Sequence, residues 1–175
     1  MRAKSTFFSI LLIFGVMLFF MPKTNLYYAL EHILEAHGVV MSEERIQEKY
    51  FSLEVSEAEL FVHKIQSMHI KKTKIQLFGI YNKFLFADMT LAPTLEQFMP
   101  KEISTAQLSY ALYNPLNIDA TVIGDFGKAT LNMNLYKKIV IVNLEASKLM
   151  KSQFSQSLKK FTRDKKGVYH YEYSL

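Results

Sequence analysis

Between Leu53 and Leu144 apolar residues recur at every second position, and this period limits the chain more than any other feature. Leu53 and Val55 alternate with charged residues, as do Leu60 and Val62. Met68 and Ile70 follow, then Ile75 and Leu77, then Phe84, Phe86, Met89 and Leu91. Leu108, Tyr110 and Leu112 continue the pattern, then Leu116, Ile118, Ala120 and Val122, then Leu131, Met133 and Leu135. A period of 2 gives each strand one buried face and one wet face. The intervening stretches are short and polar, such as Lys71-Lys72 and Tyr81-Asn82-Lys83. Consecutive strands with short connections predict an antiparallel meander. "IVIVNL", Ile139–Leu144, is a denser apolar run at its end.

The chain opens differently. Arg2 and Lys4 precede "STFFSILLIFGVMLFFM", Ser5–Met21, which holds no charge. Seventeen helical residues reach about 25 Å, close to the thickness of a hydrocarbon core. No small-x-small pair precedes Lys23, so the segment predicts an uncleaved signal anchor rather than a cleaved signal peptide. Positive charge ahead of it places the N-terminus in the cytoplasm and the body in the periplasm of a Gram-negative bacterium. Pro22 stops that helix, and Thr24 is suited to cap the next. Leu26, Tyr27, Leu30, Ile33, Leu34 and His37 predict an amphipathic helix over Asn25–His37, with Gly38 as its stop. Two further helical stretches interrupt the strands: "PTLEQFMP", Pro93–Pro100, and "SKLMKSQFSQSLKKF", Ser147–Phe161. The last places Leu149, Met150, Phe154, Leu158 and Phe161 on one face and Lys151, Lys159 and Lys160 on the other. "GVYHYEYSL" predicts a closing strand.

The expected fold is therefore α+β and mostly β: an N-terminal transmembrane helix, a short amphipathic helix, and a curved antiparallel β-meander with a C-terminal helix. Residues 1–4 form a cytoplasmic tip, 5–21 the anchor, and 22–175 one periplasmic domain. A length of 175 residues suits one domain. With no cysteine, the chain has no disulfide, thiolate metal site or cysteine nucleophile. The net charge is +5; the basic residues are scattered, with one concentration between Lys148 and Lys166, and no nucleic-acid motif accompanies them.

"IGDFGKATLNMNL", Ile123–Leu135, contains the Asp-Phe-Gly of protein kinases and a fragment of a phosphate loop. The supporting kinase motifs are absent from the sequence. A phosphate loop runs from a strand into a helix, whereas "ATLNMNL" alternates like a strand. Gly124–Gly127 reads as a hairpin turn. His32 and His37 diverge around their helix, and His63 and His69 have no carboxylate cluster at ligand spacing, so no metal or other cofactor is expected. No serine sits in a nucleophile elbow. The acidic groups Glu43-Glu44 and Glu54, Glu57 and Glu59 lack the apolar shell that tunes a general acid. No catalytic residue is assigned, and the chain reads as a non-enzyme.

The phrases "NLYYALEHILEAHG", "LEVSEAELFVHKIQSMHIKKTKIQLFGIYNKFLFADMTLA" and "LSYALYNPLNIDATVIGDFGKATLNMNL" follow one another after the apolar start. This layout resembles the N-terminal part of general secretion pathway protein N of type II secretion systems. It is also similar to the wider AsmA-like periplasmic proteins. The resemblance implies an inner-membrane-anchored, non-enzymatic subunit of an envelope assembly, with an open, curved sheet. AsmA-like relatives are associated with lipid handling. An apolar sheet face can hold an acyl chain, and an open edge can take a partner's strand. The candidate apolar face comprises Leu53, Val55, Leu60, Val62, Ile75, Leu77, Phe84, Phe86, Leu116, Ile118, Leu131 and Met133. Two expectations follow. One is a structural subunit of a secretion or related envelope system, partnered with membrane and other subunits. The other is a lipid- or lipopolysaccharide-handling protein.

Overall fold

The computed structural model describes residue 6 and residues 9–10, 12–13, 15–16, 22–42, 44–78 and 80–174. Helix α1 (Lys23–Ala36) leads into β1 (Val39–Ser42), β2 (Arg45–Lys49), β3 (Ser52–Val62), β4 (Ile65–Leu77) and β5 (Tyr81–Leu91). Turns at 93–98 precede β6 (Glu102–Ala111), β7 (Asn117–Gly124), β8 (Gly127–Asn134) and β9 (Ile139–Ala146). Helices α2 (Lys148–Gln153) and α3 (Ser155–Leu158), then β10 (Thr162–Arg163) and β11 (Tyr169–Ser174), end the chain. All the strands form one antiparallel sheet in the order β1-β3-β4-β5-β6-β7-β8-β9-β11-β10, with β2 also on β3.

Three expectations are corrected. The transmembrane helix over Ser5–Met21 falls largely outside the described residues. Among those described, no helix is long and apolar enough to cross a membrane, so the anchor and the single-pass inner-membrane location drawn from it are withdrawn. The fold is a mostly antiparallel β-sheet with a few short helices. The helix expected over Ser147–Phe161 is broken at Phe154, whose backbone (φ −118°, ψ 28°) leaves the helical region. Phe154 packs against the core there, and tertiary contact overrides helix continuity. Helix α1 begins at Lys23, so Thr24 lies inside it and caps nothing. Glu48 of β2 does that work: its carboxylate accepts from the Lys23 and Thr24 amides, each at 3.2 Å, and from Thr24 Oγ1 at 2.5 Å.

Lys71-Lys72 is not a turn. It lies inside β4, and the strand stays continuous by changing phase. Val55 and Ala58 are both buried in β3, as are Thr73 and Ile70 in β4. Phe86 and Met89 both belong to the core in β5. Each pair is three residues apart, where strict alternation would turn one outward. Glu57 and Asp88 supply the irregularity with φ of 56° and 54°, the left-handed region that L-residues seldom occupy. The register skips Lys71 between them, and β6 shifts against β7 between Ile103 and Thr105. The break between β1 and β2 falls opposite Glu57. A line of bends thus crosses the sheet from its edge to β6, and bulges of this kind increase local twist and bending.

Between that line and the other end of the sheet, direct cross-strand partners form apolar rows. Phe86, Ala106, Val122, Ala129 and Leu144 make one, and Phe84, Leu108, Ala120, Leu131 and Val142 the next. A third contains Tyr110, Ile118, Met133 and Val140. The interleaved rows belong to the opposite face and are polar, for example Gln107, Thr121, Thr130 and Asn143. Helix α1 lies on the apolar face over β3–β5, burying Tyr27 beside Leu53 and Val55. Removing a side chain such as Leu53 from water is worth about 1.5–3 kcal/mol.

Candidate functional site

The apolar face is covered unevenly, and the space left over forms a concave feature. An open cavity of about 630 Å³ lies over β6–β9. Its floor comprises Ile103, Val122, Ala129, Leu131, Val142 and Leu144. Its roof comes from two chain segments: Phe98 and Met99 from the turns after β5, and Met150 and Phe161 from the α2–α3 region. Phe126, from the turn between β7 and β8, closes one end and is itself buried. Gln156, Ser157 and Lys160 are the polar residues of the lining. Small-molecule sites occupy roughly 300–1,000 Å³, are mostly apolar and carry a few polar groups. This cavity has that size and character.

Local sequence holds the roof in place. Ser147 caps α2: its hydroxyl donates to the Asp125 carbonyl at 2.6 Å, and the Met150 amide donates to the same hydroxyl oxygen at 3.0 Å. The Ser147 amide donates to the Phe126 carbonyl at 2.8 Å. The Asp-Phe-Gly turn therefore anchors the roof through its backbone and fills the cavity end with Phe126. Gly127 permits this closeness. Its φ is 116°, and a Cβ there would lie 2.1 Å from the Glu145 carbonyl oxygen. Ser157 Oγ donates to the Phe98 carbonyl at 2.5 Å, joining the two roof segments.

Two smaller spaces flank α1. One of about 260 Å³ involves Leu26, Leu53, Leu77 and Phe84, and one of about 80 Å³ involves Leu34, Met41, Thr73 and Phe86. Tyr27, Leu30, Ile75 and Phe84 border both. Burial raises the Tyr27 phenol well above its ordinary value, with Glu44 and Glu31 adding to the effect, so it stays neutral.

The twelve residues of the candidate apolar face fall into five groups. Leu53, Val55, Ile75, Leu77, Phe84 and Phe86 cluster beneath and beside α1. Leu60 and Val62 lie beyond the bend line, next to β1. Ile118 and Met133 are direct partners on the open part of the face. Leu131 alone of the twelve lines the large cavity, and Leu116 is exposed in the β6–β7 turn. Val122, Val142 and Leu144 belong to the cavity but were outside the candidate set, although they alternate in phase with it. Phe126 gave no signal, because turn chemistry does not reveal what a turn side chain fills.

His69 sits between two carboxylates, with Nδ1 2.8 Å from Glu59 and Nε2 3.3 Å from Glu57. Sequence spacing concealed this group, because Glu59 and His69 meet only through strand register. His170 lies 2.6 Å from Asn143 Oδ1 and 3.2 Å from Asp164. Among the described residues no three metal-ligating side chains converge. No protein-family model, curated protein or solved structure matches the chain.

Proposed function

We propose that this protein binds an amphiphile with an acyl chain and an anionic head, as a lipid-handling protein rather than an enzyme. The observation that carries this reading is the 630 Å³ apolar cavity with Lys160 in its lining. The acyl chain lies over Val122, Leu131 and Val142, where its burial adds about 25 cal/mol per Å² of apolar area removed from water. Lys160 faces the head, and Gln156 supplies hydrogen bonds. From the cavity the apolar face continues past Ile118 and Met133 toward the β6–β7 and β8–β9 turns, so a chain longer than the cavity has an apolar path to follow. The test is titration of the full chain with a fluorescent fatty acid. Saturable binding weakened by Lys160→Gln supports the reading, and no saturable binding overturns it.

A second reading, a structural subunit of a larger assembly such as a secretion machine, is favoured by a different observation. β10 covers β11 only at Tyr169 and His170. Tyr171–Ser174 pairs with β9 on one side, and among the described residues no strand pairs with its other side. Such an edge accepts a partner's strand. This reading expects an assembly that gentle extraction preserves and Glu172→Pro dissociates. A monomer both with and without the substitution overturns it.

A further inference from the structure

An antiparallel meander puts alternate turns at the same end, and here the two ends differ in chemistry. At one end lie the β2–β3, β4–β5, β6–β7 and β8–β9 turns. The first is Tyr50-Phe51, and the second runs from Phe78 to Ile80. The third is "LYNPL", Leu112–Leu116, and the fourth "LYKK", Leu135–Lys138. Tyr113 and Tyr136 are the outermost, each 80% exposed. Two backbone bonds tie the fringe together in pairs of turns: the Leu112 amide donates to Ile80 at 2.9 Å, and the Leu135 amide to Leu116 at 2.8 Å. These four turns contain no acidic residue and two lysines. Connections at the opposite end carry charges of both signs, among them Glu96, Asp125, Asp164, Lys64, Lys101 and Lys166.

Loop tips are ordinarily small and polar. Four successive apolar, aromatic tips at one end form a patch of the sort that marks an interaction surface. The residues of the tips themselves choose the partner. Tyrosines suit headgroup depth, and lysines beside them suit anionic headgroups. We infer that this end of the sheet is a lipid-surface contact, in which the four turn tips seat in the interfacial layer of an anionic bilayer and the sheet stands off the surface. The inference concerns these turns alone and stands whether or not the cavity is filled.

The chain has no tryptophan, which makes the test direct. Three full-length variants, Tyr113→Trp, Tyr136→Trp and Ile65→Trp, are each presented to vesicles of phosphatidylcholine and phosphatidylglycerol, with and without brominated acyl chains. Ile65 is an exposed apolar position at the opposite end of β4. The expected result is a blue shift and bromine quenching at positions 113 and 136 and neither at position 65. Adding Lys137→Gln and Lys138→Gln lowers partition onto the anionic vesicles about thirtyfold and leaves the far-ultraviolet dichroism unchanged. Equal quenching at all three positions, or none at any, overturns the inference. A blue shift that grows with protein concentration and shows no bromine quenching also overturns it, and assigns the fringe to a second copy of the chain.

Discussion

Ser157 on α3 donates its hydroxyl hydrogen to the carbonyl of Phe98, 59 residues earlier, at 2.5 Å. This bond closes the roof of the large cavity by joining a segment that follows β5 to one that follows β9. Ser157→Ala removes it while leaving the cavity lining otherwise intact. The expected cost is about 0.5–1 kcal/mol in stability, read from denaturant unfolding. Faster release of a bound acyl probe in stopped flow is expected as well.

Glu48 makes the attachment of α1 depend on pH. Its carboxyl is held below the ordinary value of 4.5, first by the Thr24 hydroxyl and then by the Thr24 and Lys23 amides and the Lys23 charge. A depressed folded-state value means that its stabilisation is present above the unfolded value, near 4.5, and is lost as pH falls through the lower folded value. Melting temperature against pH should therefore drop below about pH 4.5. Glu48→Gln should flatten that part of the profile and lower stability at neutral pH by about 0.5–1 kcal/mol. A profile identical to that of the parent would remove Glu48 from the account.

Gly127 and Asp125 sit in one turn and respond oppositely to alanine. Gly127→Ala places a Cβ against the Glu145 carbonyl at a left-handed φ, and should cost about 1–3 kcal/mol. Asp125 contributes its backbone carbonyl to Ser147, so Asp125→Ala should stay within about 0.5 kcal/mol. Chemical denaturation of the two variants separates the backbone role of the turn from any role of the carboxylate.

The candidate apolar residues also divide by burial. Leu53 is 1% exposed and Leu116 is 50% exposed. Leu53→Ala should cost about 2–5 kcal/mol and Leu116→Ala about 0.5 kcal/mol or less. Equal effects would mean that β3 is not the floor beneath α1.

Much of the sheet was legible in the alternation. Leu131 and Met133, Ile118 and Ala120, and Leu108 and Tyr110 were in phase in the sequence and share one face in the structure. The slips of phase between Val55 and Leu60, Ile70 and Ile75, and Phe86 and Met89 were legible too, but what they meant was not. A turn and a bulge produce the same break in a period of 2, and only the register of the neighbouring strands distinguishes them. Here three strands slip at the same level, so the sheet bends and the strands continue. The break at Phe154 and the Glu48 cap were hidden for a related reason: each depends on a partner distant in sequence. The cavity itself was only partly legible. Its floor follows from alternation at Val122, Leu131, Val142 and Leu144, whereas its roof depends on where Phe98, Met150 and Phe161 pack.

Occupancy of that cavity is the central claim, and Ala129 gives the sharpest test. It is a buried residue of the cavity floor, and Ala129→Phe fills the space from within. Fluorescent fatty acid is titrated into the full-length parent and variant after circular dichroism has shown that both are folded. One saturable site in the parent, weakened at least about tenfold in Ala129→Phe, a loss of at least about 1.4 kcal/mol, is the predicted result. Unchanged binding in the folded variant would contradict the account.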